Sequence, residues 1–281
     1  MLFLFLAPYF NEKMALRAPK AHRIKHFSMN KKCLKCSRLN DLYDSFESSR
    51  TYEGENNVLL QQTANVLLSL YSTSVPVESP LNSFKVLQKR APKFERWGEN
   101  IVHDIKKAYE WLILHFAEKT AVEIKKLTRS GMTEATAKNY AFYECCKPLA
   151  IVYVEYTILS CFCEVTEQAC KGIKATLDLL MTVYATSSIK KHIAALYAGG
   201  YTSDGKWVAR ISDVLNCAVA EMKNNAVLIC DEIAPDDFLL HSIIGKSDGQ
   251  VHECLWEQFK KEANVRPDWL PDLVQFLKKK K

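Results

Sequence analysis

The amino-acid sequence predicts an all-α protein, an antiparallel helical bundle preceded by a poorly ordered N-terminal segment. Three observations carry that expectation. Apolar residues recur at three- and four-residue steps through most of the chain after residue 50, which is the period of an amphipathic helix. Alternation of apolar and polar residues, the mark of a half-buried strand, is almost absent. Helix-stopping signals at Pro76, Ser130-Gly131, Gly199-Gly200 and Pro235 cut the periodic stretches into helix lengths, and such helices find stability by packing their apolar stripes on one another.

The first helix is predicted over 57–71, with Leu59, Thr63, Val66, Leu67 and Leu70 on one face and Ser72-Thr-Ser-Val-Pro76 as its stop. Pro76, Pro80 and Pro92 then punctuate 76–98, read as a linker because so long a connection inside one domain is uncommon. A second helix over 99–129 carries Ile101, Ile105, Ala108, Leu112, His115, Phe116, Val122 and Leu127 as its stripe. Thr133 is a candidate N-cap for the third, and Pro148 inside that helix is expected to kink or split it. A fourth helix spans 173–197 and is closed by Gly199-Gly200. A fifth covers 203–233, with Ser203 or Asp204 near its start and Pro235 after its end. Short helical segments and loops fill 238–281. The domain reading is a basic segment 1–50, a helical remnant 51–75, the linker, and a helical domain 99–275.

The 281 residues carry 38 Lys and Arg against 32 Asp and Glu, a net charge of 38 − 32 = +6, with 48% hydrophobic residues and only 9 Gly and 9 Pro. Such a composition excludes a disordered or collagen-like chain, and the length suffices to bury a sizeable core. The basic excess is dispersed, which argues against nucleic acid and leaves anionic small molecules open as partners. Ten cysteines in so long a chain, two of them the adjacent Cys145-Cys146, read as reduced thiols of an intracellular compartment. Cys161, Cys163, Cys217 and Cys230 are expected to pack as small hydrophobes.

Cys33-Leu-Lys-Cys36 has half of a zinc-site spacing and lacks the other half. No ligand spacing links His103, His115, His192, His241 and His252, so no metal is expected. His115, on an apolar face, reads as a hydrogen-bonded core residue. The apolar run at 2–6 is too short to span a bilayer, and no other uninterrupted span is expected. Residues 17–38 are basic and nonperiodic, either a targeting or nucleic-acid arm or a solvated tail. Asp236-Asp237 after Pro235 read as a helix cap rather than as paired acids. Gly245-Lys-Ser lacks the earlier glycine of a phosphate loop, position 240 being Leu. The lysines at 278–281 suit a solvated end, or attraction to phosphates or an acidic membrane surface.

The segment richest in chemistry is Thr51-Tyr-Glu-Gly-Glu-Asn-Asn-Val-Leu-Leu-Gln-Gln-Thr63. It puts the carboxylate of Glu53 on an entry loop beside an aromatic residue and a glycine, just before an amphipathic helix. Glycine there permits a positive φ or close backbone approach by a ligand. Burial would raise the pKa of such a carboxylate while the helix N-terminus would lower it, and a carboxylate tuned between those two effects suits proton abstraction. An isolated Glu before a helix also suits a first-turn charge partner.

This segment resembles the one that peroxisomal acyl-CoA oxidases carry at their catalytic glutamate, related to the Tyr-Glu-Gly motif of acyl-CoA dehydrogenases. Leu196-Tyr-Ala-Gly-Gly-Tyr201, the run Ile233-Ala-Pro-Asp-Asp-Phe-Leu-Leu-His-Ser-Ile-Ile-Gly-Lys-Ser-Asp-Gly249 and Leu255-Trp-Glu are similar to the C-terminal helical domain of the same oxidases, the branched-chain (pristanoyl-CoA) type being nearest. The resemblance covers about 51 to 270. It implies Glu53 as the base that takes the α-proton of an acyl-CoA thioester, FAD as acceptor of the β-hydride, and oxygen as the final acceptor, giving hydrogen peroxide. It further implies Gly54, Glu55 and Asn57 as cofactor-binding residues, a homodimer, and peroxisomal residence, although the chain ends in lysines rather than in the usual peroxisomal tripeptide. The family's N-terminal helical domain and β-barrel have no counterpart here, so little turnover is expected of this chain alone. A noncatalytic helical module that binds a partner subunit or lipid stays open as the alternative.

Overall fold

The structure is a computed structural model, and it describes residues 37, 38, 41, 44, 45, 54–73, 83–89, 91, 93–233 and 236–263. Residues 1–36, with Cys33 and Cys36, as well as Glu53, Pro76, Pro80, Pro92, Pro235 and the lysines at 278–281 lie outside those residues. Among the described residues every regular element is helical. These residues divide into two compact units, one within 49–226 and the other formed by 227 onward together with those in 37–45.

The first unit is the helical bundle. Helix α1 (Asn56–Tyr71) buries Leu59, Leu60, Thr63, Ala64, Leu67 and Leu68. This stripe is wider than the sequence suggests and rotated from it, leaving Val66 exposed. A 3-10 turn, Ser83–Gln88, brings Val86 and Leu87 of the proline-rich connection into the core. Asn100 then caps α2 (Ile101–Arg129), its Oδ1 accepting from the N–H groups of Val102 and His103. Helix α2 buries most of its first two-thirds and exposes Val122 near its far end.

Thr133 caps α3 (Glu134–Tyr140) as expected. The interruption foreseen at Pro148 falls just before it, as a widened π-type turn over Phe142–Cys146 that leads into α4 (Lys147–Gln168). Proline lacks an N–H and clashes with the carbonyl four residues back, so the strain is relieved in the preceding turn. The 27 residues Phe142–Gln168 are long and apolar enough to cross a membrane by length and composition only, and over half of the apolar window within them is buried inside the protein. Its packing against α1 and α2 is that of a core helix.

The expected helix over 173–197 is broken. Helix α5 (Lys171–Ile189) passes through a 3-10 turn, Lys190–His192, into α6 (Ile193–Ala198). At that tightened turn the consecutive side chains of Lys191 and His192 both reach the carboxylate of Glu155 on α4, at 3.0 and 2.6 Å, and the hydroxyl of Tyr109 on α2 donates to it at 2.9 Å. Burial by itself would push the Glu155 carboxyl up, but the hydrogen bond and charge of His192, reinforced by Lys191, pull it down to about 2. Helices α2, α4 and the α5–α6 turn thus meet on one buried anion.

The long helix expected over 203–233 is also two, α7 (Lys206–Met222) and α8 (Ala226–Ile233). Lys223-Asn224-Asn225 separates them, and asparagines favour turns because their side chains compete for the backbone. The buried residues of α7 are Trp207, Ile211 and Ala218. Cys217 sits about 100° around the helix from Ala218 and is exposed, as is Cys230, so neither packs as the sequence suggests. Cys161 and Cys163 are partly buried, and burial pushes both thiols up.

The second unit holds α8 from Val227 onward, α9 (Asp237–Leu240), a 3-10 turn Ile243–Gly245 and α10 (Val251–Ala263). Asp236 occupies the N-cap position of α9 without a side-chain capping bond. Asp237 instead accepts from the backbone N–H and hydroxyl of Ser247.

Candidate functional site

The start of α1 carries the sequence-predicted site, and its description begins at Gly54. The backbone there has φ +122°, a region that L side chains rarely adopt, and an added Cβ would lie 3.3 Å from the Leu59 side chain. Glycine therefore sets the entry angle of the chain immediately after Glu53. Glu55 follows as N-cap. Its Oε2 accepts from Val58 N at 3.0 Å, its Oε1 from Asn57 Nδ2 at 2.9 Å, and its carbonyl from Leu59 N at 3.1 Å. Both carboxylate oxygens are occupied by the first turn of its own helix, where the helix dipole favours negative charge.

What remains open at this helix start is polar. The N–H groups of Asn56 and Asn57 have no acceptor inside α1, as helix geometry requires of a first turn. The Oδ1 of Asn56 is buried with no hydrogen-bond partner among the described residues. A buried acceptor without a donor costs free energy that a ligand N–H or hydroxyl would recover. Donors and an acceptor side by side suit the polar edge of a nucleotide or flavin.

Other helices hold this start in place. Leu60 and Ala64 pack against Phe142, Cys145, Cys146 and Ala150. Burial pushes the thiol of Cys146 up to about 11, and that of Cys145 in the same direction, so both stay protonated and serve as apolar packing. Lys147, the first residue of α4, donates to Asn57 Oδ1 at 3.4 Å, and Gln61 Nε2 donates to Asn139 Oδ1 of α3 at 2.8 Å. Asn57 and Gln61 stand four residues apart, on one face of α1.

Glu55 and Asn57 are therefore joined directly to each other, with Gly54 adjoining them in the chain. Asn56, Gln61, Lys147 and Asn139 are additions that sequence reasoning missed. The four-residue spacing of Asn57 and Gln61 signals a shared polar face, whereas nothing local marks Lys147, which is 90 residues away in sequence.

Leu196-Tyr-Ala-Gly-Gly-Tyr201 has a packing explanation. A Cβ at Gly199 would run into the Trp111 ring and come within 2.8 Å of His115 Cε1, while Gly200 has φ +79°. His115 itself differs from expectation. Its contacts among the described residues are aromatic rather than hydrogen bonds, with its ring stacked on Trp111 at 4.6 Å, and burial followed by Lys119 repulsion lowers its basicity. An open hollow of about 620 Å³ is lined by Lys93, Phe94, Tyr197, Tyr201, Asp204 and neighbours. Gly54, Glu55 and Asn57 do not line it.

Comparison with known proteins gives a consistent result. The family model described as acyl-CoA oxidase matches residues 102–279. Acyl-coenzyme A oxidase acox-3 of Caenorhabditis elegans is 36% identical over 248 residues, 88% of this chain and 37% of the relative. Peroxisomal acyl-coenzyme A oxidase 3 of Homo sapiens is 33% identical over 254 residues, 85% of this chain and 36% of the relative. The chain thus spans little more than a third of the length of these curated relatives. Among solved structures, acyl-CoA oxidase-1 of Caenorhabditis elegans, complexed with FAD and ATP, superposes with a TM-score of 0.83 at 20% identity, covering 99% of this chain and 42% of that one. Acyl-CoA oxidase3 of Yarrowia lipolytica gives 0.83 at 17% identity, covering 98% and 41%. At such identities these two establish the fold.

Proposed function

Since the chain belongs to the acyl-CoA oxidase family, we propose that it is the C-terminal portion of an FAD-dependent acyl-CoA oxidase of peroxisomal fatty-acid β-oxidation. The reaction in this reading converts acyl-CoA to trans-2-enoyl-CoA and transfers the electrons to oxygen, yielding hydrogen peroxide. The observation that carries it is the start of α1, where a positive-φ glycine directly follows Glu53 and leads into a capped helix with unmet polar groups. "Peroxisomal" in the name of the human relative supports the location, and a homodimer is part of the same reading.

Glu53 is the base in this account and takes the α-proton of the thioester onto its carboxylate. That proton is weakly acidic, so rate comes from holding base and carbon in register rather than from base strength. Gly54 fixes the direction in which the chain leaves Glu53. Glu55 caps α1 and so keeps its first turn intact, and Asn57 is steadied by Glu55 on one side and Lys147 on the other. The residues that would hold FAD are Gly54, Glu55 and Asn57, joined by the buried Oδ1 of Asn56. FAD supplies a hydride acceptor that oxygen can reoxidise.

The experiment joins these residues to the N-terminal and barrel parts of a full-length relative and reads flavin absorbance and peroxide release with long-chain acyl-CoA. Bound flavin and peroxide from the joined protein, with little of either from the 281 residues alone, is the expected outcome. A stably helical joined protein with neither signal would turn the assignment toward a noncatalytic interaction module.

A further inference from the structure

In the second unit, the ammonium nitrogen of Lys246 lies 3.3 Å from the sulfur of Cys254. Lys246 is on the loop between the Ile243–Gly245 turn and α10, and Cys254 is in the first turn of α10, a helix of 13 residues. Gly245-Lys-Ser lacks the earlier glycine of a phosphate loop, so a phosphate does not explain this lysine. We propose that this pair is a peroxide-responsive modification site, in which oxidation of Cys254 ends in a covalent sulfur–nitrogen bond to Lys246 and staples the loop to α10.

Cys254 is partly exposed, so a small oxidant reaches it. Its sulfur has the Lys246 ammonium as its neighbour at 3.3 Å, so the group that would meet an oxidised sulfur is already in place. Among the described residues no other cysteine has a lysine nitrogen within hydrogen-bond distance. Cys170, Cys217 and Cys230 are exposed without such a partner, while Cys145 and Cys146 are buried. The contact with Cys254, aided by Asp248 and Asp237, pushes the Lys246 amine up. Once the sulfur is oxidised to a neutral group, the largest part of that push is gone and the amine gives up its proton more readily.

The thiolate attacks one oxygen of hydrogen peroxide, the O–O bond breaks, and the other oxygen leaves as hydroxide and is protonated to water. Sulfur has then lost two electrons to the peroxide and is a sulfenic acid. The neutral amine of Lys246 attacks that sulfur, an S–N bond forms as the S–O bond breaks, and the hydroxyl departs with an amine proton as a second water. Thiol, amine and one peroxide give a sulfenamide and two waters. The proposed oxidase reaction makes peroxide, and that source rests on the reading above. The cross-link needs peroxide of any origin, so adding peroxide to the purified chain tests it separately.

The purified chain is treated with hydrogen peroxide and digested, and its peptides are weighed with and without a sulfenic-acid trap. A peptide pair joined through Lys246 and Cys254, lighter by two hydrogens and released by dithiothreitol, is expected. Trapping at Cys254 is expected to be about tenfold faster than at Cys217 or Cys230. In Lys246→Arg, which keeps the positive charge, the joined pair disappears and trapped sulfenic acid at Cys254 rises. Cys254→Ser abolishes both signals. Trapping at Cys254 no faster than at Cys217 and Cys230, or oxidation of Cys254 without the joined pair, overturns the proposal.

Discussion

Lys147 Nζ lies 3.4 Å from Asn57 Oδ1, linking the first residue of α4 to the first turn of α1. Asn57 passes the link on to Glu55 through a 2.9 Å hydrogen bond. The helix start that follows Glu53 is therefore braced from a second helix as well as from within. The contact is long for a hydrogen bond, so its contribution is to orientation more than to stability. Lys147→Met is expected to lower stability by less than about 1 kcal/mol while raising amide hydrogen exchange over 54–60. An unchanged exchange pattern there would show that the brace is idle.

Glu55→Ala removes the cap of α1. A lost cap costs about 0.5–2 kcal/mol, so thermal unfolding of the chain should shift down measurably, with exchange at Val58 rising most. Glu55→Asp should recover part of the loss, since aspartate also caps.

Glu155 gives the protein an acid-sensitive core. Its carboxyl is pulled from 4.5 down to about 2 in the folded state. A depressed carboxylate contributes stability that is fully present above the unfolded value and is lost as pH falls through the folded one. The window is thus between roughly pH 4.5 and 2, and the shift corresponds to about 3 kcal/mol. Denaturation followed across that range should show the loss in the parent chain. Glu155→Gln should flatten the dependence and destabilise the chain near neutrality by a similar order, because Lys191 and His192 lose their anion.

Gly199→Ala should destabilise the bundle by about 1–3 kcal/mol, since the new Cβ meets Trp111, His115 and, at 2.9 Å, the backbone oxygen of Ala195. Gly200→Ala is a milder change in which only the positive φ is disfavoured, at about 1 kcal/mol. Thermal melts of the two variants separate the roles of the paired glycines.

Much of the bundle was legible because helical periodicity and stop signals are local. Thr133 as a cap, Pro148 as the cause of an interruption and Gly199-Gly200 as a terminus all follow from the chemistry of single residues. The breaks at Lys190–His192 and Asn224-Asn225 were not legible in the periodicity. The first depends on Glu155 from another helix, which no spacing within α5 announces, and the second leaves the apolar pattern almost undisturbed. Cys217 shows the limit of composition, since an apolar neighbourhood in sequence did not fix which side of α7 it faces. At the site, the motif marked Gly54, Glu55 and Asn57, but the partners that brace them, Lys147 and Asn139, are distant in the chain and only folding brings them near.

In the proposed reaction the Glu53 carboxylate removes the substrate's α-proton. The most direct test of that step is the rate of peroxide formation by the joined oxidase and its Glu53→Gln variant, compared at equal bound flavin with the same long-chain acyl-CoA. Glu53→Gln is expected to lose about 10²–10⁴-fold in that rate with flavin content unchanged. A variant that forms peroxide at the parent rate would contradict that role for Glu53.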